Sequence, residues 1–296
     1  MIYIYFPTPL QAVLFGSVTG ILTAIVVLIY KVLSGKIIHF SEHGYEYLSE
    51  HLYFVPIALV FFLLVSWFFT FIYKKMPSLS GGGIPTSIGI LRGLVRFKWA
   101  INLAGVFLLS LVSFFIGVPL GTEGPSVQMG TAAGMGSIDI FSKKHKAWER
   151  YSMTGGACAG FSVATGSPIS GILFSIEEAH QRISPMILIV SATSVIFSFI
   201  TSEILSPLLN ISSTLFPQRQ IIALSVKESW IPLIVGLAMG IFAVLFLKFY
   251  NLLNTFFNKK LKAVPYVLKV FFIFCVSLAL GLCSFNYIST GHELIL

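Results

Sequence analysis

The chain has 296 residues, of which 56% are hydrophobic and only 10% are charged, and its mean hydropathy is +0.91. Soluble domains carry about 25% charged residues, so this composition excludes a soluble globular protein and predicts an all-α integral membrane protein. The formal net charge of +8 is spread over several short polar connections. Such a distribution indicates charge at membrane edges rather than a nucleic-acid surface, which would need one concentrated basic patch.

Seven charge-free runs follow one another along the chain, and each is near or above the roughly 20 residues that a spanning helix needs. They cover residues 1–30, 52–73, 99–122, 151–176, 183–202, 229–247 and 270–292. We expect the first run to be a retained helix rather than a cleaved leader, because it has no basic start and is too long for a signal-peptide core. The polar stretch 31–51 is expected to be a solvated linker to the second run.

Histidine and cysteine positions do not favour a metal site. His39 and His43 are four residues apart and are spaced to share a helix face, but the glutamates between them favour a solvated segment over a metal site. The three cysteines lie in apolar runs without metal-type spacing, and we expect buried free thiols at Cys158, Cys275 and Cys283. We therefore predict no metal and no cofactor.

Glycine and proline interrupt the apolar pattern at three places, within residues 78–89, 119–125 and 165–168. Helices that start at such breaks begin inside the membrane, where the freed backbone groups must face protein or a water-filled cavity. Broken helices of this kind mark the binding sites of transporters.

The first two breaks have the same mechanical form. In GGGIP, Pro85 occupies a first-turn position where proline is tolerated, and a short helix is predicted over residues 86–94. In GTEGP, Pro125 has the same place before a helix predicted over residues 126–138. Two helix amino ends with free N–H groups and partial positive charge form an anion site without any cation. The alternative is that these glycines only allow close helix packing.

Glu123 is the only charged residue between Lys98 and Asp139. A lone carboxylate in so apolar a stretch is costly to place in a membrane, so we interpret it as functional. Because Glu123 lies at a helix amino end, its ionised carboxylate can occupy the anion position itself. Protonation would remove the carboxylate from this position and admit an anion, which would couple proton binding and anion binding at one place.

A second acidic feature, Glu177 and Glu178, follows the apolar stretch after Pro168. Adjacent helical residues point about 100° apart, so at most one of the two faces a given pathway. Spacing alone favours glutamates that mark where the helix leaves the membrane, with Glu178 paired to Arg182 one turn on. A proton relay is the alternative.

GGGIP, GTEGPSVQMG and GSPISGILFSIEE, in this order and spacing, resemble the signature segments of the CLC family of chloride channels and proton-coupled chloride transporters. The resemblance is strongest over residues 80–182. It implies tilted and re-entrant helices arranged in inverted repeats, with the first repeat half over residues 1–225 and the start of the second over residues 226–296.

The resemblance also implies a homodimer in a lipid bilayer. Helices over residues 168–181 and 185–205 would contribute to its interface. Four apolar residues there fit either such a face or contact with lipid, namely Ile172, Phe174, Ile187 and Ile189.

Functional roles follow from the resemblance residue by residue. Glu123 matches the gating and outer proton-accepting glutamate, and Glu178 matches the inner proton-transfer glutamate. The anion-binding backbone segments match residues on both sides of the first two breaks: Gly82, Gly83, Ile84, Pro85, Gly121, Gly124 and Pro125.

Two departures from the family pattern stand out. The usual pattern has a serine where this chain has Gly82. Loss of one hydroxyl hydrogen bond to the anion, about 1.5–3 kcal/mol, would weaken or broaden anion choice. The fluoride-exporting branch, with methionine there, is not indicated. The second departure is that no GxFxP segment occurs. We therefore expect the chain to cover the first half and only the start of the second, so that the pathway lacks one wall.

The expected function is exchange of chloride or a similar small anion for protons by a multi-pass protein of the plasma membrane, without enzymatic chemistry. Two alternatives stay open. One is a passive, voltage- or pH-gated chloride channel, and the other is a membrane fragment that transports nothing and acts only through assembly.

Overall fold

The computed structural model describes residues 8–141, 148–209 and 230–285, together with the single residues 211 and 228. Within these residues the secondary structure is helical, which confirms the predicted all-α class. The α-helices are α1 (Thr8–Glu50), α2 (Val55–Lys75), α3 (Ile84–Leu91), α4 (Trp99–Ile116), α5 (Glu123–Phe141), α6 (Glu149–Thr165), α7 (Pro168–Phe174), α8 (Pro185–Leu209), α9 (Trp230–Thr255) and α10 (Tyr266–Cys283).

Six helical segments of the described part are long and apolar enough to cross a membrane. They are Pro9–Glu50, Leu52–Lys75, Trp99–Ile116, Pro185–Leu209, Trp230–Thr255 and Tyr266–Cys283. The predicted run 151–176 instead forms two shorter helices, α6 and α7. Gly166 ends α6 with a φ of +68° and Pro168 begins α7, so the predicted break at this point is confirmed.

α1 is one continuous helix of 43 residues, so residues 31–50 extend the first helix and do not form a separate linker as predicted. No proline lies between residues 31 and 50, and the two glycines there cost only about 1 kcal/mol each. Most polar side chains of this part are exposed, as expected for a solvated segment, but two of them anchor it to α4. Ser41 Oγ donates to the Phe115 carbonyl at 3.0 Å, and the Tyr45 hydroxyl donates to the Ile116 carbonyl. These contacts fix the end of α1 against the end of α4.

Glycines bring α5 and α6 into backbone contact. A Cβ atom on Gly130 would overlap the Gly156 carbonyl, and one on Gly156 would overlap the Gly130 carbonyl. Gly134 faces the Ser152 carbonyl in the same way. Small residues allow such close approach between membrane helices. Since α1 and α8 also pack against α6, this bundle holds the amino end of α5 in place.

Two of the four residues expected on an exposed interface are core residues. Phe174 is 6% exposed and stacks on Phe161 at a centroid distance of 5.5 Å, and Ile187 is 4% exposed. Their expected place on the outer face is therefore wrong, because α7 and the start of α8 turn these side chains toward α6. Four exposed apolar residues of α8 recur every four positions and form a stripe: Ile196, Ile200, Ile204 and Leu208.

The last two helices differ in how they are covered. Phe274 of α10 packs against Phe62 and Phe69 of α2, with ring centroids 5.9 and 6.0 Å apart. No residue of α9 is buried. The predicted start of a second half near residue 226 and the end of the run 270–292 lie outside the described residues.

Candidate functional site

A cavity of about 320 Å³ lies where the amino ends of α3 and α5 meet. Its described lining comes from residues between Tyr73 and Gln128, on α2, the loop before α3, α4 and α5. Seven of the residues singled out in the sequence line it together: Gly82, Gly83, Ile84, Gly121, Glu123, Gly124 and Pro125. Pro85 and Glu178 do not line it.

The two helix amino ends touch backbone to backbone. Gly83 has a φ of +72°, and a Cβ atom on it would overlap the backbone of Gly124. A Cβ atom on Gly124 would lie 3.0 Å from the Gly82 carbonyl oxygen. Only glycine satisfies both the backbone angle and the contact at Gly83. α3 begins at Ile84, two residues earlier than predicted, and Pro85 is within its first turn.

α5 begins at Glu123, three residues earlier than predicted, and Pro125 remains in its first turn. The helix start is held by Ser126, whose N–H and hydroxyl donate to the Thr122 carbonyl at 3.1 and 2.7 Å. The half-buried Glu123 side chain folds back toward Gly121, where a Cβ atom would overlap its Oε2. The carboxylate therefore lies at the amino end of its own helix, inside the shared cavity.

Two residues of α1 add to the electrostatics around Glu123. Tyr30 is buried against Phe107 and Phe114 at centroid distances of 5.7 and 6.4 Å, and Lys31 Nζ donates to the Val163 carbonyl at 3.4 Å. Both interact electrostatically with the Glu123 carboxylate. Neither residue was predicted from the sequence. A lysine at the border of an apolar run indicates a membrane edge, and only the structure shows that the helix continues beyond Lys31.

A cluster of buried amides holds the loop that precedes α3. Gln128 Nε2 donates to the Ser78 carbonyl at 2.8 Å and to Asn102 Oδ1 at 3.3 Å, and Asn102 Nδ2 donates to the same carbonyl at 3.4 Å. Gln128 lines the Glu123 cavity, whereas Asn102 lines a neighbouring cavity of about 680 Å³. This cluster was not predicted. Its signal in the sequence is an asparagine inside an otherwise apolar run.

Glu178 lies away from the cavity, on a π-helical turn over Ser175–His180 that continues α7. Its side chain is exposed, and its carbonyl accepts a hydrogen bond from Arg92 Nη2 at 3.4 Å. The predicted ion pair with Arg182 does not form in the described part of the chain. Gln181 adopts a φ of +53° and ends the helical turn, so Arg182 no longer lies one turn beyond Glu178.

The sequence matches a known family and its proton-coupled members. Residues 61–296 match the family model described as voltage gated chloride channel. The H(+)/Cl(-) exchange transporter ClcA of Vibrio cholerae serotype O1 is 29% identical over 259 residues, which are 85% of this chain and 54% of the relative. The transporter of the same name from Klebsiella pneumoniae is 27% identical over 241 residues, or 81% of this chain and 51% of the relative.

Solved structures share the fold. A slow cyanobacterial Cl−/H+ antiporter superimposes with a TM-score of 0.79 at 20% identity. The superposition covers 98% of this chain and 67% of the antiporter chain. A CLC-type fluoride/proton antiporter superimposes with a TM-score of 0.63 at 19% identity, and the superposition covers 97% of this chain and 69% of the antiporter chain. The chain spans about half the length of the curated relatives it matches. Since the family model matches most of its residues, the chain belongs to the voltage gated chloride channel, or CLC, family.

Proposed function

We propose that this multi-pass membrane protein exchanges chloride or a similar small anion for protons, with Glu123 as the gate. The observation that carries the proposal is the cavity in which Glu123 lies between the amino ends of α3 and α5. The names of the relatives, which are proton-coupled chloride transporters, support the same activity.

Backbone groups would hold the anion in this cavity. The first turn of each helix carries partial positive charge and orphan N–H groups. The Ile84 N–H already donates to the Gly82 carbonyl at 2.8 Å, and Pro85 and Pro125 have no N–H, so the remaining first-turn amides would hold the anion. Gly82 contributes no side-chain donor, so the anion would be held by backbone groups on that side. Such a site binds an anion loosely enough to release it, as transport requires.

Glu123 would couple the anion to a proton. When ionised, its carboxylate takes the anion position at the α5 amino end. When protonated, it loses its attraction to that position and an anion replaces it. Glu178 would supply the inner proton, as its match to the family's inner proton-transfer glutamate implies. Glu177 is equally exposed on the turn that follows α7, but adjacent helical residues point about 100° apart, so at most one of the two would face the pathway.

Flux in proteoliposomes tests the proposal. We expect a chloride gradient to drive proton movement through the reconstituted protein. Glu178→Ala should abolish proton movement while chloride flux persists, and Glu123→Gln, which mimics the protonated gate, should uncouple chloride flux from protons. Glu177→Ala is the matched control and should retain coupled exchange.

The alternatives give different outcomes in the same assay. Chloride flux without proton movement in the unmodified protein would identify a passive channel. An absence of both fluxes would support a fragment that acts only through assembly. We propose in addition that the protein is a homodimer of the plasma membrane, with the α8 stripe of Ile196, Ile200, Ile204 and Leu208 contributing to its interface.

A further inference from the structure

A second polar cavity, of about 420 Å³, lies away from the Glu123 cavity at the starts of α6 and α8. Its described lining combines two arginines and a histidine with a few hydroxyl-bearing and apolar side chains: Arg150, Tyr151, Thr154, His180, Arg182, Ile183, Ser184 and Ile187. No carboxylate is among them. The cavity has the size of an ordinary small-molecule site, which is far more space than a single halide ion needs.

Three guanidinium groups concentrate positive charge here. Arg150 and Arg182 line the cavity, and Arg92, at the end of α3, acts electrostatically on the same His180 ring. None of the three forms an ion pair with a carboxylate in the described part of the chain. Burial and these guanidinium groups lower the pKa of His180 below its usual range. The described lining of the cavity therefore has positive charge and no carboxylate to balance it.

Backbone contacts hold two of these side chains in position. Arg150 Nε donates to the Leu91 carbonyl at 2.6 Å, and Arg92 Nη2 donates to the Glu178 carbonyl at 3.4 Å. His180 Nε2 lies 2.9 Å from Thr154 Oγ1, and Thr154 is 1% exposed. A guanidinium fixed through one nitrogen keeps its remaining N–H donors for a ligand. This preorganisation lowers the entropic cost of binding.

The chemistry of the lining selects a ligand class. Guanidinium groups present a planar fork of donors that matches the oxygens of a phosphate group, and Arg–phosphate pairs are often bidentate. We infer that the cavity bounded by Arg150, His180 and Arg182 is a binding site for the phosphate group of an organic phosphate ester. Its described lining shares no residue with that of the Glu123 cavity, and the inference does not depend on the proposed exchange activity.

The position of the cavity favours a phospholipid headgroup over a soluble phosphate ester as the source. The apolar span Pro185–Leu209 begins beside it, and Ile183 at its rim is 78% exposed. A ligand with a charged head and apolar chains would contact both the arginine cavity and this apolar span. Cytoplasmic loops of membrane proteins carry an excess of lysine and arginine, and the cytoplasmic leaflet is rich in anionic lipids.

Isothermal titration of the purified protein in an uncharged detergent tests the site with two probes. Inorganic pyrophosphate represents the soluble source, and short-chain phosphatidic acid represents the headgroup. Arg150→Gln and Arg182→Gln should each weaken binding by about 10- to 100-fold, the effect of one charge-assisted hydrogen-bonding group. Arg182→Lys keeps the charge but loses the planar fork of donors, so its affinity should lie between that of Arg182→Gln and that of the unmodified protein.

Arg96→Gln is the matched control, because Arg96 is exposed and lines a different cavity. It should leave binding unchanged. Arg182 forms no hydrogen bond with another described residue. In the absence of ligand, its variants should therefore unfold at the same temperature as the unmodified protein. Binding of pyrophosphate alone, or of phosphatidic acid alone, supports the site and identifies its source. The inference is overturned if neither probe binds, if the Arg150 and Arg182 variants bind as the unmodified protein does, or if Arg96→Gln weakens binding equally.

Discussion

At the scale of single residues, Gly83 is held by two independent requirements. Its φ of +72° costs a residue with a Cβ atom about 1–2 kcal/mol. Its Cα also lies against the Gly124 backbone, where a Cβ atom would overlap main-chain atoms that cannot rotate away. The contact joins the two helix amino ends, so any residue other than glycine would separate the donors that are proposed to hold the anion.

Gly83→Ala is expected to destabilise the protein by about 3 kcal/mol or more, the sum of backbone strain and overpacking. It should also weaken chloride binding, because α3 and α5 move apart. Gly93→Ala is a matched control: Gly93 has a φ of +76° but nothing within 4 Å of its Cβ position. Thermal unfolding in detergent compares the two. Equal losses of stability would contradict the contact between Gly83 and Gly124.

The place of Glu123 at a helix amino end could be predicted from the sequence because the signal is local. A single carboxylate lies in an apolar run between glycines and a proline. The free-energy cost of placing it in a membrane is enough to single it out. The arginine cavity could not be predicted in this way. Arg150 and His180 come from separate helices, and each is an ordinary polar residue at a helix end until folding brings them together.

At the scale of helices, glycine and proline predicted the breaks well. The starts of α3, α5 and α7 all lie at such motifs, because proline is tolerated in a first turn and glycine ends the preceding segment. The continuation of α1 was predicted wrongly because its second half is charged. Its stabilising contacts, from Ser41 and Tyr45 to the end of α4, join residues more than seventy positions apart, and local composition contains no sign of them.

The close packing of α5 on α6 can be tested with a valine at Gly130. Gly130→Val should cost about 3 kcal/mol or more, since the added atoms meet the Gly156 backbone. Gly240→Val in α9 is the matched control, because nothing lies within 4 Å of the Cβ position of Gly240. Thermal unfolding should show a large loss for the first variant and about none for the second. A similar loss in both would contradict close packing at Gly130 as the cause, since helix propensity favours valine over glycine.

At the scale of the whole molecule, the described helices divide into a packed part and an open part. α5, α6, α1 and α8 form the tight bundle, and α9 has no buried residue. All described lining of the Glu123 cavity comes from residues between Tyr73 and Gln128. The chain spans 54% of the length of its Vibrio cholerae relative. The residues proposed for the anion and proton sites, from Gly82 to Glu178, all lie within residues 80–182, where the sequence motifs occur.

The proposed homodimer can be tested on the α8 stripe. Ile200→Trp should weaken dimerisation by about tenfold or more, because a larger ring cannot fit a packed helix face. Ile241→Trp is the matched control, since Ile241 is 66% exposed on α9. Cross-linking in lipid nanodiscs measures the fraction of dimer. Loss of the dimer in the Ile241 variant but not in the Ile200 variant would exclude α8 from the interface.

Competition between Glu123 and the anion is the central claim, and chloride binding measured as a function of pH tests it most directly. Isothermal titration of the unmodified protein should show binding that tightens by about tenfold or more as the solution is made acidic, because protonation of Glu123 vacates the anion position. Glu123→Gln should bind chloride tightly at every pH, and Glu177→Gln should behave like the unmodified protein. If Glu123→Gln keeps the pH dependence of the unmodified protein, Glu123 does not compete with the anion and the account is contradicted.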